Sequence, residues 1–120
     1  MTVQVDIWLR GTDVATTETI EAVAREPGAW MDEDVRVVLE GMLRAMDRVK
    51  NPGQPRRVVA LRGFSWIVNP FEDGGVLIAI EMTLGAAVAG PFAVEKAALE
   101  AMIGRVLAAD TRVTPPGLVH

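Results

Sequence analysis

The chain of 120 residues contains no cysteine and no tyrosine, and its single histidine is the last residue, His120. Without cysteine there is no disulfide framework, no thiolate nucleophile and no cysteine-based metal site. With histidine confined to the final position, a Ser-His-Asp relay held in a rigid core is excluded as well. Lysine is also scarce: ten of the twelve basic residues are arginine. The chemistry left to the chain rests on Asp, Glu, Arg, Ser and Thr, and none of these falls into a motif tied to a reaction. Neither a metal nor a cofactor is expected.

Long apolar runs are missing too. The longest apolar stretch, residues 76–92, is cut by Glu81, Thr83, Gly85, Gly90 and Pro91, short of the roughly 20 residues of a membrane span. The opening residues lack a basic region followed by an apolar core, so the sequence reads as that of a cytoplasmic protein with no signal peptide. Positive charge is in deficit: the net charge is -4 and the pI about 4.9. That balance argues against phosphate tracking along nucleic acid and against an anionic membrane surface as partner. What the chain does have is apolar content, at 50% of residues with a mean hydropathy of +0.25. A domain of this size leaves much of its surface exposed, so part of that content is expected outside the core, where self-association is its natural outlet.

Val3, Val5, Ile7 and Leu9 alternate with Gln4, Asp6, Trp8 and Arg10, the period of a strand with one buried face. Thr16 or Thr17 is placed to cap a short helix over residues 18–26, with Ile20, Val23 and Ala24 inward and Pro27-Gly28 as its stop. A long helix then begins at Asp32-Glu33-Asp34, whose charges suit a helix N-terminus. Val35, Val38, Leu39, Met42, Met46 and Val49 form its stripe, and Asn51-Pro52-Gly53 ends it.

Residues 57–68 and 76–84 read as two strands, with Asp73-Gly74 as a two-residue type I′ turn between them. That turn sets Trp66 opposite Glu81 and Phe64 opposite Thr83 on one face. It sets Ile67 opposite Ile80 and Ser65 opposite Met82 on the other. Residues 85–90 read as a bent continuation of the strand or as a loop. Pro91 suits the start of a last helix reaching about Ala109, with Leu99, Met102, Ile103, Val106 and Leu107 on one side.

The expectation is a single domain over residues 1–110 and a loose tail over 111–120. The class is α+β: a small two-layer sandwich in the order β-α-α-β-β-α, with a mainly antiparallel sheet and helices on one face.

The outer face of that sheet is the first candidate for function. Trp8 and Arg10 on the first strand, with Arg62, Phe64, Trp66 and Glu81 on the hairpin, make an aromatic patch rimmed by charge, a frequent mark of a binding surface. Glu81 is the oddest of these, a carboxylate between Ile80 and Met82. It reads as an ion-pair partner of Arg62 or Arg10, or as a weak candidate for a general base. The acids 32–34 point in different directions from a helix and read as N-terminal charge rather than a cation site. The small residues 85–90 lack the Gly-Lys-Ser/Thr ending of a phosphate loop. Arg56-Arg57 reads as a solvated basic pair.

Two functions of different class follow. The leading one is a non-enzymatic interaction module that self-associates, a dimer first among the assemblies expected, or that docks a protein partner. The alternative is a small ligand-binding domain or acid/base enzyme using Glu81 or Asp6, with Arg10 or Arg62 as an anion clamp and Trp8 and Trp66 as stacking walls. Single-strand nucleic-acid binding through the aromatics is set aside by the acidic balance.

Overall fold

The strand at the N-terminus forms as its period requires. The computed structural model describes residues 2–21, 25–55 and 59–112, and β1 spans Thr2–Leu9 with Val3, Val5 and Ile7 buried. The next element corrects the sequence reading. Thr16–Glu21 is not helix but a second strand, β2, antiparallel to β1 with Val3 opposite Ile20 and Val5 opposite Glu18. Thr16 and Thr17, read as caps, are β-branched or β-tolerant ladder residues, and Ile20 alone supplies the buried position. Val23 and Ala24 lie outside the described residues.

A 3₁₀ turn at Pro27–Ala29 leads to α1, Asp32–Lys50. Its buried stripe includes Val35, Val38, Leu39, Met42 and Met46. The acidic start is used in full. Asp34 accepts the Met31 backbone N–H at 2.7 Å and lies 3.5 Å from Arg25; Glu33 lies 3.5 Å from Arg36. Asp32 takes a two-bond grip from Arg105, each bond 2.9 Å. Asn51 closes the C-terminal end, its N–H donating to the Asp47 carbonyl at 2.8 Å.

The hairpin follows as β3, Ser65–Pro70, and β4, Val76–Met82. Residues 85–92 are a full strand, β5, Gly85–Phe92, and α2 runs Lys96–Arg112 with Leu99, Met102, Ile103 and Val106 buried. The observed order is thus β-β-α-β-β-β-α. Thr111 and Arg112 belong to α2, and residues 113–120 of the expected tail lie outside the described residues. No helix among the described residues is long and apolar enough to cross a membrane.

The five strands form one antiparallel sheet in the order β2-β1-β5-β4-β3. Every fully buried sheet residue, from Val3 and Ile20 through Ala87 and Ala89 to Ile78, Ile80 and Val68, belongs to one face. Both helices lie on that face, α1 against β1, β2 and β5 and α2 against β3. The α+β two-layer class expected from the sequence therefore holds. Trp30, given no role by the sequence pattern, is a core residue: its indole N–H donates to the Arg25 carbonyl at 3.0 Å, and its ring meets Phe92 at 4.9 Å between centroids.

The Asp32–Arg105 pair joins the start of α1 to α2 and carries a pH dependence. The hydrogen bonds from Arg105 hold the Asp32 carboxyl below its ordinary value of 3.8. A carboxyl depressed on folding adds stability above its unfolded pKa and loses it as pH falls through the folded one. Because both side chains are about half exposed, the contribution is small. Thermal unfolding should show the Arg105→Gln variant below the wild type near neutrality, with the gap closing under about pH 4. A gap that persists in acid would assign the loss to packing of the Arg105 stem instead.

Candidate functional site

The face of the sheet opposite the helices has no covering layer among the described residues. Its side chains follow from the register. One row crosses all five strands as Thr17, Asp6, Val88, Ala79 and Ile67; the next runs Trp8, Ala86, Glu81 and Ser65. Trp8 is 42% exposed and Ile67 53%, while Ala79, Ala86 and Val88 are half-buried between them. The middle of the face is therefore low and apolar, with one large side chain standing on each flank. A shallow hollow of about 240 Å³ lies over Ala79 and Ala86, bounded by Ile67, Ser65 and Glu81.

Two of the aromatics expected here are on the other side. The turn is not a two-residue one: residues 71–75 form the loop, with the Phe71 N–H donating to the Gly75 carbonyl at 3.0 Å and both Gly74 and Gly75 at positive φ. This moves the register by one residue, so Trp66 stands opposite Ile80 and Ser65 opposite Glu81. A one-residue slip sends every side chain of a strand to the opposite face. Phe64 and Trp66 accordingly pack, half-buried, against the core under the helices, and Ile67 takes the outward place. Ile67 was missed because the turn assumption had put it inside.

The remaining candidates keep to the outer side or its margin. Asp6 accepts a hydrogen bond from the Thr17 hydroxyl at 2.7 Å. The Nε–H of Arg10 donates to the Thr83 carbonyl at 3.0 Å, tying the end of β1 to the β4–β5 turn. Arg62 is exposed in the segment before β3 and lines neither the hollow nor its neighbour. Glu81 is exposed rather than buried, and no ion pair joins it to Arg10 or Arg62 among the described residues. Arg10, Glu81 and the margin of Phe64 do meet around a second, wide-open depression of about 490 Å³ with Thr83. It is a flat corner rather than a cavity with Glu81 at its base. Arg56 and Arg57 lie outside the described residues.

No group of three or more acidic or histidine side chains converges as a cation site among the described residues. A further recess of about 780 Å³ lies elsewhere, between β2 and the C-terminal half of α1. No family model matches the chain, and neither a curated protein nor a solved structure resembles it.

Proposed function

We propose that this protein is a non-enzymatic assembly module that pairs with a second copy of itself, face to face, through the uncovered side of its sheet, with the cytoplasm as its setting. The observation that carries the reading is the uncovered patch of Trp8, Ala86, Val88, Ala79 and Ile67, which spans two neighbouring rows. Stacked sheets bury such faces about 10 Å apart.

The relief of the face favours a second copy over an unrelated partner. The middle strand is β5, with β1 on one side and β4 on the other. A two-fold axis running along β5 sets β1 of each copy over β4 of the other. The partner's Trp8 then comes down over β4 on the row of Ala86 and Glu81, at the rim of the hollow over Ala79 and Ala86, and the reverse contact follows by symmetry. The same axis brings the partner's Arg10 toward Glu81, a carboxylate with no ion pair among the described residues. Five strands about 4.8 Å apart and six to eight residues long span on the order of 500 Å² in flat projection. Side-chain relief raises this toward the about 800 Å² per partner of a standard interface.

Sedimentation across a concentration series tests the reading. A dimer that dissociates only in the micromolar range or below is expected. A strictly monomeric chain at high micromolar concentration would remove the proposal.

A further inference from the structure

The recess between β2 and α1 has a volume within the range of small-molecule sites. Its charges are mostly spoken for. Arg48 pairs with Glu18 at 3.2 Å, and Asp47 accepts from the Asn51 amide at 3.0 Å. Glu21 makes no ion pair among the described residues, and neither does Arg44. Arg44 lines the recess, yet its Nε–H is buried with no hydrogen-bond partner. Buried donors in native structures are nearly always satisfied, and one that is not asks for an explanation.

We propose that this recess binds a small monocarboxylate, held by the guanidinium fork of Arg44. One edge of a guanidinium carries Nε–H and an Nη–H side by side, the two-bond geometry that matches a carboxylate, and a turn of the Arg44 side chain brings that edge from its buried position to the recess. The walls select the class. Glu18, Glu21 and Asp47 also line the recess, so a polyanion such as a nucleotide or a nucleic-acid backbone meets repulsion that a single negative charge tolerates. Ile20, Val37, Pro52 and Pro55 supply apolar surface for the body of the ligand, and the amides of Asn51 and Gln54 supply hydrogen bonds. The site is on the helix side of the sheet and does not depend on pairing between copies.

The Nε–H resonance of Arg44 reads the site in the wild-type chain. Titration with N-acetylleucine, a monocarboxylate with an apolar body, should shift that resonance saturably in the millimolar range or tighter. Inorganic phosphate should bind at least tenfold more weakly. Arg44→Lys retains the charge and stem but loses the fork, and should weaken N-acetylleucine by about tenfold, followed on the backbone amides of residues 18–21. Absence of a saturable shift, phosphate binding as tight as the carboxylate, or a loss below about threefold in Arg44→Lys would each overturn the assignment.

Discussion

Gly85→Ala is expected to cost the fold about 4 kcal/mol, the largest effect of a methyl group added at any described glycine. Gly85 closes the β4–β5 hairpin and is at the same time the partner of Leu9 in the β1–β5 ladder. Its φ is +154°, and a Cβ there would collide with the Trp8 carbonyl oxygen and lie 2.9 Å from the Leu9 Cα. Both neighbours are backbone held in a sheet, so neither yields as a flexible side chain would. Strain at such a φ costs about 1–3 kcal/mol, and forced overpacking a similar amount. Since small domains hold about 5–15 kcal/mol in all, the loss is a large part of the total. Gly74→Ala is the control: its φ is +104° but the space around it is open, so about 1 kcal/mol is expected. Urea unfolding of both variants checks the pair, and equal losses would show that the crowding against β1 is not real.

Trp8→Glu is expected to raise the dissociation constant of the dimer at least a hundredfold, or about 2.8 kcal/mol. The indole is the one large side chain standing on the β1 flank of the uncovered face, and in the two-fold arrangement each copy loses its anchor and sets a negative charge against Glu81 of the other at the rim of the hollow. The folded monomer should be nearly unaffected, within about 0.5 kcal/mol, because the side chain has no role in the core. Trp66→Ala should do the reverse. Trp66 packs against the core beneath the helices, so about 2 kcal/mol of stability is lost while the pairing surface is kept. Sedimentation and unfolding on the two variants separate the faces. Dimerisation of Trp8→Glu with wild-type affinity would exclude this surface.

Those opposite expectations for two tryptophans mark where the sequence was legible and where it was not. β1 and α1 follow from their periods, because each must bury one side along its full length: Val3, Val5 and Ile7 at every second position, and the Val35-to-Met46 stripe at every third or fourth. β2 carries no such constraint. As an edge strand it needs only Ile20 inside, and one buried residue among threonines fits a short helix as well as a strand. β5 was half-seen because Ala and Gly pack closely between β1 and β4 without giving an apolar alternation of any size. The loss of Phe64 and Trp66 from the candidate face has a single cause, one residue of register. Asp73-Gly74 fits a two-residue turn, but Gly75 also takes positive φ, and the extra turn residues move the whole of β3. The composition led only to the expectation that part of the apolar content lies outside the core, and Trp8 and Ile67 are among the exposed large hydrophobics.

The ladder between β1 and β5 has a consequence for how the chain is made. The sheet consists of two ribbons, β1 with β2 and β3 with β4 and β5, each paired between neighbours in sequence and sewn together along the ladder that runs from Val5 opposite Ala89 to Leu9 opposite Gly85. During synthesis the first ribbon and α1 emerge long before their counterpart. At about 5–20 residues per second, Leu9 waits roughly 4–15 s for Gly85 to be translated. Throughout that interval Val3, Val5 and Ile7 have only α1 to shelter against, and the edge of β1 that β5 will take stands open to any other strand. Vulnerability to misassembly is thus concentrated in the nascent chain, and a slower passage through residues 51–84 would lengthen it without altering the finished protein.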